Sequence, residues 1–141
     1  INNKILHQSK LINYLKLEKS KKDPTKDIND FLKKIKKNKK YFFSKKDVIL
    51  VEAFKSDGIK ILEKYNDLYQ INESEIPSDI QIFVNSGDMA AALLRIVEII
   101  GQDNLNNIDE DTLYFIISTL NQLNADPLRN RILFKVLPLK V

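Results

Sequence analysis

The feature that most restricts this chain is its punctuation. Helix-starting and helix-stopping residues recur at intervals, and the apolar residues between them repeat every three to four positions. A period near 3.6 puts such residues on one face of an α-helix, whereas a half-buried strand needs strict alternation. Ile28, Phe31, Leu32 and Ile35 stand at i, i+3, i+4 and i+7. They follow Asp23-Pro24, a carboxylate able to cap the first turn and a ring preset for its first position. The helix they predict runs into Lys36, Lys37, Asn38, Lys39 and Lys40, a basic last turn that complements the helix dipole. Before it, Ile5, Leu11, Ile12 and Leu15 make a looser stripe. After it, Tyr41, Phe42 and Phe43 are expected to plug the core.

From Ser44 onward the signals become regular. Ser44 and Asp47 have the spacing of a capping box, with Asp in place of Glu or Gln. Val48, Leu50, Val51 and Phe54 follow, and Gly58 stops that helix. A weaker helix is expected around Ile61, Leu62, Tyr65, Leu68 and Tyr69. Pro77 and Ser78 open a short one containing Ile80, Phe83 and Val84, closed by Gly87. Asp88 caps the next, whose expected core face is Ala90, Leu93, Leu94, Val97 and Ile100, ending at Gly101. Asp109 starts another, with Leu113, Ile116, Ile117, Leu120 and Leu123 inward and Asn124 as a left-handed stop. Asp126-Pro127 repeats the start seen at Asp23-Pro24, and Leu128, Ile132, Leu133 and Val136 complete the last helix before Pro138.

Helix pairs therefore open near Ser44, Ser78 and Asp109, at spacings of 34 and 31 residues. Stacked helical hairpins of that period bury a core that no single hairpin buries alone. The expected fold is all-α, a single domain of six to eight helices. A basic segment, 1–43, precedes a hairpin stack, 44–141, arranged as a short α-solenoid; an orthogonal helical bundle is the alternative. Residues 77–138 resemble the hairpins of tetratricopeptide (TPR)-like superhelical scaffolds, a resemblance of architecture alone. The chain departs from that family's signature, having no Trp and no Leu-Gly pair at Gly87 or Gly101, so no residue's role is carried over.

Charge is divided unevenly. Residues 1–70 hold 18 Lys against nine Asp and Glu; residues 71–141 hold five Lys and Arg against ten. Such a basic half can attract nucleic acid, anionic lipid or an acidic protein. The competing explanation is composition: 20 Lys beside three Arg, with 19 Ile and 14 Asn, is the bias of AT-rich codons. No apolar run approaches the length of a membrane span, and Arg95 and Glu98 break the longest one. The sequence leaves the compartment open.

Chemistry leaves few traces. Without cysteine the chain has no disulfide, thiolate metal site or cysteine nucleophile. His7 is the lone histidine, so histidine triads and multi-histidine metal sites are impossible. Gly58, Gly87 and Gly101 are too scattered for a phosphate-binding loop. Asp109, Glu110 and Asp111 crowd one first turn, where a helix dipole favours acids. Asp103, Asn104, Asn106 and Asn107 before them lack the glycine and final glutamate of a calcium loop. Glu98 lies between Val97 and Ile99 and is expected to pair with a nearby cation.

The functional expectation is a non-enzymatic helical scaffold or protein–protein interaction module, with no cofactor and another protein as partner. Arg129 and Arg131 are candidate interface residues, although pairing with Asp126 competes for them. The alternative is nucleic-acid binding through the segment 33–46, which holds eight Lys in 14 positions. There Lys33, Lys34, Lys36, Lys37, Lys39 and Lys40 are the candidate electrostatic contacts, neutralising phosphates without reading bases.

Overall fold

A computed structural model describes residues 11–15, 23–37, 44–68, 76–101 and 104–137. Among the described residues there are six α-helices and no strand. They are α1 (Thr25–Lys37), α2 (Lys45–Ser56), α3 (Ser78–Asn85), α4 (Met89–Ile100), α5 (Glu110–Gln122) and α6 (Asp126–Val136). Short 3-10 turns stand at Asn13–Leu15, Glu63–Leu68 and Leu105–Asn107. The expectations for Ile5, His7, Lys39, Lys40, Tyr41, Phe42, Phe43, Tyr69, Asp103 and Pro138 fall outside the described residues.

The helix starts follow local chemistry. Asp23 accepts the backbone N–H of Thr25 at 2.9 Å, satisfying a donor that the first turn leaves free. Ser44 and Asp47 form a reciprocal box: the Asp47 N–H donates to Ser44 Oγ at 3.3 Å, and the Ser44 N–H to Asp47 Oδ2 at 2.8 Å. Asp88 accepts from the Ala91 N–H and Asp109 from the Thr112 N–H. Asp126 departs from the pattern. It is the first helical residue of α6 behind Ala125, and no side chain caps that end.

The ends of α2, α3 and α5 share one device. Gly58, Gly87 and Asn124 hold positive φ of 89°, 76° and 55°, the left-handed region that reverses the chain after a helix. In each case the next N–H returns to a carbonyl five residues back: Ile59 to Phe54, Asp88 to Phe83, Ala125 to Leu120. These are the first helices of the three pairs read from the sequence. They share this backbone closure, not matching residues.

α5 is the packing hub. It lies against α2 over the most extensive contact between any two helices, and also touches α3 and α6. Its inner residues Leu113, Ile116, Ile117 and Leu120 are buried, as spaced. α2 buries Val48, Ile49, Leu50, Val51, Ala53 and Phe54, so its middle turns are covered on more than one side while its two ends are polar. α1 joins the same core through Ile28, Phe31, Leu32 and Ile35, with Leu11, Ile12 and Leu15 beside them. Each such side chain, fully buried, contributes about 1.5–3 kcal/mol.

Three expectations about packing are corrected. The second member of the first pair is no α-helix but the 3-10 turn Glu63–Leu68, and Leu62 before it is half exposed. The cause lies on α1: Asn29 donates to the Lys60 carbonyl at 3.1 Å and accepts the Leu62 N–H at 3.0 Å. It thereby takes up backbone groups that a helix start would use. On α4 the buried residues are Ala92 and Ile96, not the expected Leu94 and Val97, which are 65% and 62% exposed. Leu128 of α6 also faces outward.

Candidate functional site

Two surface features and one internal network result from this packing. The first is the outward face of α4. Ala90, Leu94 and Val97 stand at i, i+4 and i+7 and all are exposed. Met89 begins the same helix at 43% exposure, and Ile82 of α3 is 64% exposed. Arg95 borders the face; its Nε donates to Asp79 at 2.7 Å and its Nη1 to Glu98 at 3.3 Å, fixing α4 against the start of α3. Glu98 thus has the cation expected for it. The hydrogen bond from Arg95 holds the Asp79 carboxyl below its ordinary range.

The second feature is basic. Lys33, Lys34, Lys36 and Lys37 are exposed on the last turns of α1. Lys33, Lys36 and Lys37 converge with Lys64 and Tyr65 around a cleft of about 280 Å³. Nothing in the sequence marks Lys64, because only the docking of 63–68 against α1 brings it there. The Lys36 ammonium donates to the Lys64 carbonyl at 2.7 Å and sits 5.9 Å from the Tyr65 ring centre; that of Lys64 sits 5.2 Å from it. Lys34 lines a second hollow on α1, about 370 Å³, together with Lys33, Lys37, Asp27 and Asp30.

Comparison with known proteins adds no identity. No family model matches the chain, and no curated protein or solved structure does either.

The two arginines singled out in α6 separate. Arg131 is exposed. Arg129, read as an interface candidate, is instead fully buried. Its Nη2 donates to Asp57 at 2.8 Å, its Nη1 to Asn121 Oδ1 at 3.1 Å and to the Ala53 carbonyl at 3.4 Å, and its Nε to Asn130 at 3.1 Å. Asp126 stands 3.5 Å away. A planar cation with five donors suits such a junction, tying the C-terminal end of α2 to α5 and α6. Burial pushes the Asp57 carboxyl above its ordinary range, against the pull of the Arg129 charge.

The acidic turn of α5 is also in use. Asp109 caps the helix, and the Thr112 N–H it accepts holds its carboxyl low. Asp111 pairs with Lys45 of α2, whose ammonium lies 5.3 Å from the Tyr114 ring centre. Among the described residues no three acidic or histidine side chains are grouped to hold a metal ion. No described helix is long and apolar enough to cross a membrane.

Proposed function

We propose that this chain is a non-enzymatic helical module that binds another protein by seating a partner helix on the outward face of α4. The supporting observation is the exposure of Leu94 and Val97, 65% and 62%, on a stripe whose spacing elsewhere in the chain faces the core. A helix normally turns such a stripe inward, because each of these side chains gains about 1.5–3 kcal/mol on full burial. Here most of that gain is left for a second surface. Residues one turn apart form a ridge that fits between the ridges of another helix, and Ala90 at one end lets a backbone come close.

We read the architecture as a bundle gathered on α5 rather than as a linear stack of hairpins. α2 reaches α5 directly, although α3 and α4 lie between them in sequence. That arrangement leaves α4 at the edge, attached mainly through α3.

The test is site-specific photo-crosslinking in cells that produce the protein, with the photoreactive residue at position 94 and a control at Ser56. The expected result is an adduct at 94 that maps to a helical segment of one partner protein and disappears with Val97→Lys. Equal yields at both positions, or an adduct with a second copy of the chain alone, would refute the proposal.

A further inference from the structure

We infer that the cleft between α1 and the 63–68 turn is a binding site for a compact polyanion carrying two or more phosphoryl groups. This site is independent of the outward face of α4. Lys33, Lys36, Lys37 and Lys64 share the cleft, and no carboxylate is among its described lining residues; Lys33 and Lys37 also border the hollow that holds Asp27 and Asp30. None of the four forms an ion pair with another described residue. The negative end of the α1 dipole offsets about half a charge, well short of four ammonium groups. Asp30, Glu63 and Asp67 on the same elements offset part of the remainder, and an anion seated among the four ammonium groups offsets more.

Part of the site is already ordered. Lys36 is held by the Lys64 carbonyl, and the ammonium groups of Lys36 and Lys64 lie 5.9 and 5.2 Å from the Tyr65 ring centre. An ammonium fixed in the free protein has lost its rotamer freedom beforehand, so binding an anion costs less entropy. Lysine suits this ligand, being a point charge that contacts phosphoryl oxygens without demanding the planar geometry of arginine.

The surroundings select a compact ligand over a nucleic-acid strand. Tyr65 is 3% exposed beneath the lysines, so its face is closed to a stacking base. Asp30, Glu63 and Asp67 are exposed on the same two elements and interrupt the positive surface. A cleft of about 280 Å³ accommodates a few phosphoryl groups rather than a run of nucleotides.

The experiment is calorimetric titration of the folded chain with sodium tripolyphosphate at low salt, with circular dichroism to verify folding of every variant. Lys37→Gln and Lys64→Gln are used because neither removes the hydrogen bond that Lys36 donates. Each should weaken binding about fivefold, the effect of one charge contact near 4 Å in water. Lys26→Gln and Lys60→Gln remove the same charge outside the cleft and should change it by less than about twofold. Absence of binding, or equal losses in all four variants, would overturn the inference. So would tighter capture of an oligothymidine that depends on Lys26 and Lys60 as well, since that outcome describes an extended nucleic-acid face.

Discussion

Nη2 of Arg129 donates to Oδ2 of Asp57 at 2.8 Å, closing the junction between α6 and the C-terminal end of α2. Arg129 has no exposed surface, whereas 28% of the Asp57 side chain reaches solvent. Removing Asp57 leaves a buried cation without its carboxylate. Asp57→Ala should therefore lower the unfolding free energy by about 3 kcal/mol, the lower end of the range for breaking a buried pair from one side. Asp126→Ala, at 3.5 Å and half exposed, should cost less than about 1 kcal/mol. Urea denaturation of both variants checks the ranking, and a loss below about 1 kcal/mol for Asp57→Ala contradicts the clamp.

Acid should weaken the fold through Asp79 and Asp109. Hydrogen bonds to their carboxylates, from Arg95 and from the Thr112 N–H, hold both below the ordinary value of 3.8. A depressed carboxyl contributes stability that is complete above its unfolded pKa and is lost as pH falls through the folded one. The loss should fall below about pH 4 and flatten in Asp109→Asn. Asp57 acts with the opposite sign: its carboxyl is raised by burial, so its contribution is present at low pH and declines as pH rises through the folded value. Stability measured against pH in Asp109→Asn and Asp57→Asn separates the effects.

The capping box at the start of α2 gives a local test. Asp47 is fully buried while its carboxylate accepts the Ser44 N–H and hydroxyl at 2.8 and 2.9 Å. Ser44→Ala should cost about 1 kcal/mol, and Ser44→Gly only a few tenths beyond the backbone effect. Thermal unfolding of the two variants distinguishes them.

Gly58 and Asn124 probe the shared helix closure. A Cβ built at Gly58 meets nothing within 4 Å, so any penalty comes from its φ of 89°. Gly58→Ala should destabilise by about 1–2 kcal/mol through left-handed strain alone. Asn124→Gly, relieving a φ of 55°, should be neutral or stabilising. Opposite signs in a denaturation series support the closure; equal losses would argue for a different cause.

The parts of this fold that depend on neighbours in sequence were legible. Ser44, Asp88 and Asp109 cap where expected, and Gly58, Gly87 and Asn124 reverse the chain where expected; Asp23 serves the first turn of α1 from one residue outside the cap, because that helix begins at Thr25 behind Pro24. The inner faces of α1 and α5 follow directly from their spacing. Orientation failed on α4 because its sequence, MAAALLRIVEII, is apolar on almost every side. Periodicity cannot choose a core face where two faces qualify, and packing against α3 made the choice.

Long-range partners were the other gap. Nothing near Arg129 announces Asp57, 72 residues away, or distinguishes a buried arginine from an exposed one. Asn29 reads as an ordinary polar position on α1, yet it holds the 60–62 strap and turns an expected helix into a 3-10 turn. The lysine cleft is half visible for the same reason, since Lys64 joins Lys33, Lys36 and Lys37 only after that strap has docked.

The proposed partner face requires the Leu94–Val97 stripe to be open to solvent in the free chain. The most direct measurement is the urea unfolding free energy of the isolated Leu94→Asp, Val97→Asp double variant. Unpartnered surface positions should leave it within about 0.5 kcal/mol of the parent at each site. A loss of several kcal/mol, the mark of charges forced into a core, would show that these side chains already have their partner inside the fold.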